Sequence, residues 1–378
     1  MSGSAADQRR GALALAAAFV VALAAPAPAR ATDCLTANPP PVTAPATALR
    51  FGITPQAAGT AGPTQGDVAP EDETKAVRAL HRLQPNRRQL VLRLNRLFWS
   101  DGQAGIDRFA ALVDSYAAAG FASEIQVRYH PPSGHEGDIA GWEAFVRAAV
   151  QELASRPSVV AMSITNEANL PISPNTSDGA YAGVLDALVR GIVVAREEAV
   201  GLGRPDLPLG FTVMWRWDPN SDQRFWEDLG SRAAQEPAFR SSLTYVGLQP
   251  YPGLVWPPAP LPGRTAGDEA VEALTLLRDC YMPKAGLGGD VALWITENGY
   301  ATNLGRTESQ QDADLTSTID AVHRWSGTLG VTDYRYFNLR DNRSQGTDLF
   351  DAVGLLRDDY SEKPAFATYR SFIRRYGS

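Results

Sequence analysis

The stretch VVAMSITNEANLP, Val159–Pro171, opens as a buried strand and then sets Asn166 beside Glu167 where the chain turns to solvent. A second stretch, ALWITENGYAT (Ala292–Thr302), does the same with Glu297. Six further apolar runs read as strands: LRFGIT (49–54), QLVLRLN (89–95), SEIQVRYH (123–130), PLGFTVMWRW (208–217), LTYVGLQPY (243–251) and TDYRYFNLR (332–340). With VVAMSITNE (159–167) and VALWITENG (291–299) they make eight.

Amphipathic segments fill the gaps, near 71–83, 104–119, 138–155, 179–201, 222–236, 267–281, 308–326 and 363–375. In the second of them Ile106, Phe109, Leu112, Val113 and Tyr116 recur at helical spacing, and Gly120 stops the pattern. Strands that alternate with helices pair in parallel through crossovers. Eight such units predict an α/β chain folded as a single (β/α)8 TIM barrel. A doubly wound sheet would carry a glycine-rich phosphate turn after its first strand, and GITPQAAGTAG supplies no G-x-G-x-x-G.

The chain has 378 residues, 44% hydrophobic and 20% charged, an ordinary soluble globular composition. Its N-terminus stands apart from the barrel. Arg9 and Arg10 precede GALALAAAFVVALAA, and Ala29-Arg30-Ala31 forms a small-residue cleavage pattern. Residues 1–31 therefore read as a secretory signal peptide, too short in its apolar run for a membrane span. Residues 32–48, rich in Pro, Thr and Ala, read as an extended lead-in, and residues 49–378 as the barrel. Losing Arg9, Arg10, Arg30 and Asp7 with the signal takes the net charge from −7 to about −9. An acidic chain without a basic patch is a poor fit to nucleic acid. Cys34 and Cys280, an even pair in an exported chain, predict one disulfide between lead-in and barrel. A monomer is expected.

In such barrels chemistry sits at the C-terminal ends of the strands. Glu167 ends the fourth strand and Glu297 the seventh, across the barrel from each other. Counting back at a period of two puts Thr165 and Ser163 on the face of Glu167, and Ile295 and Leu293 on the face of Glu297. Two converging carboxyls suit glycoside hydrolysis. No G-x-S-x-G, no C-x-x-C and no histidine pair at metal-ligand spacing point elsewhere, so no cofactor or metal is expected.

ITNEAN resembles the Asn-Glu signature of the clan of retaining glycoside hydrolases on (β/α)8 barrels that includes families 5 and 39. The resemblance implies Glu167 as acid/base, Glu297 as nucleophile and Asn166 as a contact to the sugar 2-hydroxyl. LRLN resembles the strand-two segment whose arginine stands beside the nucleophile, here Arg93. RYH resembles the strand-three end whose histidine lines the site, here His130. LQPYPG resembles the strand-six end with a tyrosine near the nucleophile, here Tyr251, and puts Gln249 where many relatives have histidine. GLLRDDYSEKPAFATYRSF resembles the C-terminal close of these enzymes, so the likeness runs over about 49–375. Strand eight departs from the pattern: in place of the clan's tryptophan it reads YRYFNLRDN, so Tyr336, Phe337 or Asn338 must substitute, or a tryptophan from elsewhere. Trp215 and Trp217 share one strand face, and at least one is expected to line the cleft. The function implied is a secreted retaining β-glycosidase acting on a carbohydrate. The rivals are a sugar-binding barrel without activity, a glycosidase of other specificity such as an arabinofuranosidase, and a secreted scaffold or adhesion protein.

Overall fold

The computed structural model describes Cys34 and residues 37–55, 68–84, 88–215 and 219–378. The expected signal peptide and Trp217 lie outside these residues.

Eight parallel strands follow one another round a closed barrel. They are β1 (Arg50–Ile53), β2 (Val91–Phe98), β3 (Ala122–Arg128), β4 (Val159–Ile164), β5 (Leu209–Met214), β6 (Tyr245–Gln249), β7 (Ala292–Ile295) and β8 (Val331–Tyr336). The pairing of β1 with β8 closes the ring. Eight longer helices follow them: α1 (Glu73–Leu83), α2 (Gly102–Ala118), α3 (Ile139–Leu153), α4 (Val184–Gly201), α5 (Pro219–Gln235), α6 (Ala266–Leu276), α7 (Glu308–Leu329) and α8 (Pro364–Tyr376). Local chemistry sets their ends. Asp72 caps α1 through the Lys75 backbone N–H at 3.0 Å. Thr307 and Gln310 form a capping box at the start of α7, and left-handed Gly330 (φ 70°) ends it.

The strands bury two different faces. Leu92, Leu94, Ile125, Val127, Val246, Leu248, Leu293 and Ile295 face outward and join Ile106, Phe109, Val146, Ile192 and Leu274 of the helices in one core. Each such side chain contributes about 1.5–3 kcal/mol by leaving water. The inward face is polar and tightly fitted. Tyr245 stacks on Trp294 with ring centroids 3.5 Å apart. Glycine opposite makes room: a Cβ on Gly210 would lie 2.5 Å from the Tyr245 ring, and one on Gly52 2.4 Å from Arg335 Cδ.

Across this interior runs a chain of buried ion pairs. Arg50 and Arg335 each reach Asp333 Oδ1 at 2.7 Å. Arg335 Nε donates to Glu124 Oε2 at 3.0 Å, and Arg93 Nη1 donates to Glu124 Oε1 at 2.6 Å. The other arm of Arg93 reaches Glu297. β1, β8, β3 and β2 are thereby linked to the end of β7.

The described lead-in, residues 37–48, has neither helix nor strand and lies against α7. Trp325 Nε1 donates to Pro40 O at 2.9 Å, and Thr47 N to Ser326 Oγ at 2.8 Å. Cys34 is disulfide-bonded to Cys280, in the π-helical turn that follows α6. Among the described residues no helix is long and apolar enough to cross a membrane.

Candidate active site

Both glutamates sit just past their strands; on β4 the inward parity of Ala161 carries through to Glu167, but after β7 the count by twos breaks down. β7 ends at Ile295, and Leu293 and Ile295 belong to the outer core while Trp294 faces the interior. Glu297 nevertheless turns inward, because the chain has left strand geometry before it is reached. β4 ends at Ile164, and the backbone then passes through two left-handed residues, Thr165 (φ 69°) and Glu167 (φ 45°). Such conformations are costly for residues other than glycine and gather at functional sites. A web of hydrogen bonds fixes this turn. Asn166 N and Tyr129 N both donate to Asp178 Oδ2 at 2.8 Å, and Glu167 N donates to Thr212 Oγ1 at 3.1 Å.

Glu297 is 6% exposed and has donors on both oxygens. Arg93 Nη2 reaches Oε1 at 3.3 Å and the Tyr251 hydroxyl reaches Oε2 at 2.9 Å. Burial, followed by the charges of Glu297 and Glu167, pushes the Tyr251 hydroxyl well above its usual range, so it stays a donor. Glu167, also 6% exposed, stands in the opposite condition, with Oε2 unpartnered. Burial first and the Glu297 charge second push its carboxyl up to about 8, against the pull of Arg128 and Arg93. One carboxyl is held by donors, and the other keeps a proton at neutral pH.

No protein-family model matches the chain, and no curated protein matches it by sequence. Solved structures match by shape. A β-glycosidase, BGL167, superposes with a TM-score of 0.59 at 15% identity, over 90% of this chain and 98% of its own. The family 1 β-glucosidase of Thermotoga maritima gives 0.59 at 13% identity, over 92% and 97%. A GH5_18 protein from Streptomyces cattleya, solved in complex with GlcNAc, gives 0.59 at 17% identity, over 88% and 81%.

The fold is that of the (β/α)8-barrel glycosidases. Within this (β/α)8 barrel the remaining expected residues take distinct places. Asn166 Oδ1 accepts from Gln126 at 2.7 Å, Gln249 at 2.9 Å and Thr212 at 3.1 Å. Its Nδ2 donates one hydrogen to Thr176 O at 3.1 Å, which leaves the other for a ligand. Gln249 is fully buried, so it acts on Asn166 rather than on the cleft. Arg93 is likewise buried and reaches the cleft only through Glu297.

His130 lies on the rim, half-buried. Its Nδ1 is 3.0 Å from Ser100 Oγ, and its ring packs on Phe98 and Tyr181. Burial and the Arg128 charge lower its pKa, so the ring is neutral at pH 7. Trp215 packs with the outward residues of β5 in the main core, because it continues the parity of Phe211 and Val213. At the end of β8, Phe337 lies edge-on to Tyr251 at 6.4 Å, and the Phe337–Asn338 peptide is cis. Tyr336 is buried in the outer core, with its hydroxyl on Val353 O at 3.1 Å. Asn338 is fully buried, and neither side-chain polar atom has a partner. Phe337 joins Leu170, Met214, Leu254 and Tyr300 in a second apolar cluster at the mouth, with Trp256 half-buried against it. Of the three strand-eight candidates, Phe337 is the one packed beside Tyr251, the tyrosine that holds Glu297.

Several supporting residues were not singled out from the sequence. Glu124, Gln126 and Arg128 alternate along SEIQVRYH, and that period-two run of polar groups inside a buried strand was the available signal. Asp178, which takes Arg128 Nε at 2.8 Å, lies in a loop with no pattern of its own.

Proposed function

We propose that the chain is an exported retaining β-glycosidase that hydrolyses O-glycosidic bonds of a polysaccharide, or of oligosaccharides from one, by double displacement. The observation that carries this reading is the contrast between two buried carboxyls just past the ends of β4 and β7, Glu297 with a donor on each oxygen and Glu167 with Oε2 unpartnered. In the first step Glu297 attacks the anomeric carbon while the bond to the leaving oxygen breaks. Glu167 gives its proton to that oxygen. In the second step Glu167, now a carboxylate, takes a proton from water as the water attacks, and the sugar leaves Glu297. Arg93 and Tyr251 orient the Glu297 oxygens. The spare N–H of Asn166 faces the sugar hydroxyl next to the reacting carbon. The carboxyl pair carries both steps without a cofactor. Retention is supported by the ITNEAN resemblance. Export is supported by the signal-like N-terminus and by the Cys34–Cys280 bridge.

The test is the anomer first released from aryl β-glycosides, followed by proton NMR. The β-anomer is expected ahead of mutarotation. The α-anomer first would mean inversion, and the nucleophile role of Glu297 would fall. No turnover of any glycoside, with sugar binding intact, would favour the inactive sugar-binding barrel.

A further inference from the structure

A cavity of about 260 Å³ lies between α6 and α7, apart from Glu167 and Glu297. Glu269 of α6, Asp314 of α7, Tyr300 after β7, and Gly253 and Pro260 in the loop after β6 line it. Neither carboxyl is compensated. Glu269 is 3% exposed; its Oε1 accepts the Leu261 N–H at 3.3 Å, and its Oε2 is buried without a partner. Asp314 is half-buried and, among the described residues, makes no hydrogen bond and no ion pair. Burial, and then the Glu269 charge, pushes Asp314 well above the usual carboxylate range, and burial pushes Glu269 up as well. The arginines nearby are engaged elsewhere. Arg264 is paired with Glu272 at 2.5 Å, and Arg306 acts on the Tyr300 hydroxyl.

The fold holds this space open. A capping box between Thr265 and Asp268 fixes the first turn of α6, where Glu269 sits. Asp314 and Ser317 share one face of α7, and Ser317 Oγ accepts the Gly267 N–H of α6 at 2.9 Å. A Cβ on Gly267 would lie 2.4 Å from Ser317 O, so the two helices already touch there and cannot close further over the carboxyls. Gly253 has φ 69°, and a Cβ on it would lie 3.3 Å from Pro260 Cγ and 3.5 Å from the Tyr300 ring. Its bare backbone leaves the gap between those side chains clear. Carboxylates taken out of water are costly unless a counter-charge arrives with a ligand. A primary ammonium is compact and brings three N–H donors and no acceptor, which suits two partnerless carboxyls. Calcium asks for about 6–8 oxygens. Among the described residues no three acidic, histidine or cysteine side chains gather to hold a metal.

We infer that this cavity binds a primary ammonium group, its nitrogen between Glu269 and Asp314 and its carbon skeleton against Tyr300 and Pro260. A sugar with a free 2-amine and a plain alkylamine share this chemistry. The site is separate from the carboxyl pair at the ends of β4 and β7, and it stands whether or not that pair is catalytic.

Calorimetric titration of the full chain tests it without calling on turnover. The probes are methyl 1-thio-β-D-glucosaminide and its N-acetyl counterpart, which resist hydrolysis, together with propylammonium chloride and calcium chloride. They are titrated into the wild type, Asp314→Asn and Glu269→Gln. The wild type is expected to bind the free amine at least about tenfold tighter than the acetamide, and each variant should erase that preference. Both variants should melt no lower than the wild type, because each removes an uncompensated charge. Should Glu269→Gln fail to fold, Asp314→Asn decides alone. Propylammonium binding as tight as that of the glucosaminide, and lost in the same variants, would uphold the ammonium site and assign it to simple amines. Equal binding of amine and acetamide with no binding of propylammonium would overturn the inference. So would a preference that survives in Asp314→Asn, since the amine would then sit elsewhere, or binding of calcium and of no amine.

Discussion

At the scale of single residues, the site depends on giving two identical side chains opposite properties. Glu167 is buried without a partner on Oε2, and Glu297 is buried with a donor on each oxygen. As a proton donor, Glu167 works only while protonated. Its carboxyl is raised to about 8, so kcat/KM should hold through neutrality and fall as pH rises through about 8. Initial rates on an activated glycoside from pH 5 to 10 will show it. Glu167→Gln should remove that basic limb and lower turnover of poor leaving groups by about 10²–10⁴-fold. A limb that persists in Glu167→Gln would assign it to another group. The chemistry of these two residues was legible in ITNEAN and ITENG; the face of Glu167 follows from the count by twos, but that of Glu297 does not. Counting by twos assumes strand geometry, and both glutamates lie beyond the strand ends in backbone set by hydrogen bonds to Asp178 and Thr212 and, after β7, by the turn that follows Ile295.

At the scale of elements, the strands carry more than the hydrophobic pattern suggests. Eight strand runs and eight helix runs were readable because the outward faces are apolar and the helices follow a 3.6 period. The inward faces escaped notice. Glu124, Arg93, Asp333 and Arg335 are charged residues inside runs that read as buried, and a linear pattern does not show which charges meet. Joined, they form one ion chain that ends on Glu297. Glu124 stands between two buried arginines, so Glu124→Gln leaves both under-compensated. Unfolding in urea should show a loss of about 3–5 kcal/mol, the usual result of breaking a buried pair from one side. A loss below about 1 kcal/mol would mean that the arginines find other partners and that the chain is not a structural unit. Glu124→Leu is no gentler, since it removes the charge as completely.

At the scale of the whole molecule, the barrel closes through β1 and β8, and the lead-in runs across α7 to α6 and the turn that follows it. The disulfide spans 246 residues. Cross-links over loops of this kind restrict the unfolded chain and stabilise by about 2–4 kcal/mol. Reduction, or Cys34→Ser with Cys280→Ser, should therefore lower the melting temperature by several degrees. An unchanged melting temperature would show that the contacts of residues 37–48 with α7 hold the lead-in without the bridge. The pairing itself was open to sequence reasoning, since only two cysteines exist. The identity of the sugar was not, because a linear pattern does not show which side chains converge from different strands at the mouth.

The central claim is that Glu297 forms and releases the bond to the sugar. Its most direct test is the turnover of Glu297→Ala, with and without azide, on an aryl glycoside that the wild type cleaves. The variant should lose at least about a thousandfold in kcat, roughly 4 kcal/mol of transition-state stabilisation. Azide should restore part of that rate and yield the glycosyl azide of inverted configuration. A variant that keeps near-native turnover without azide would contradict the claim.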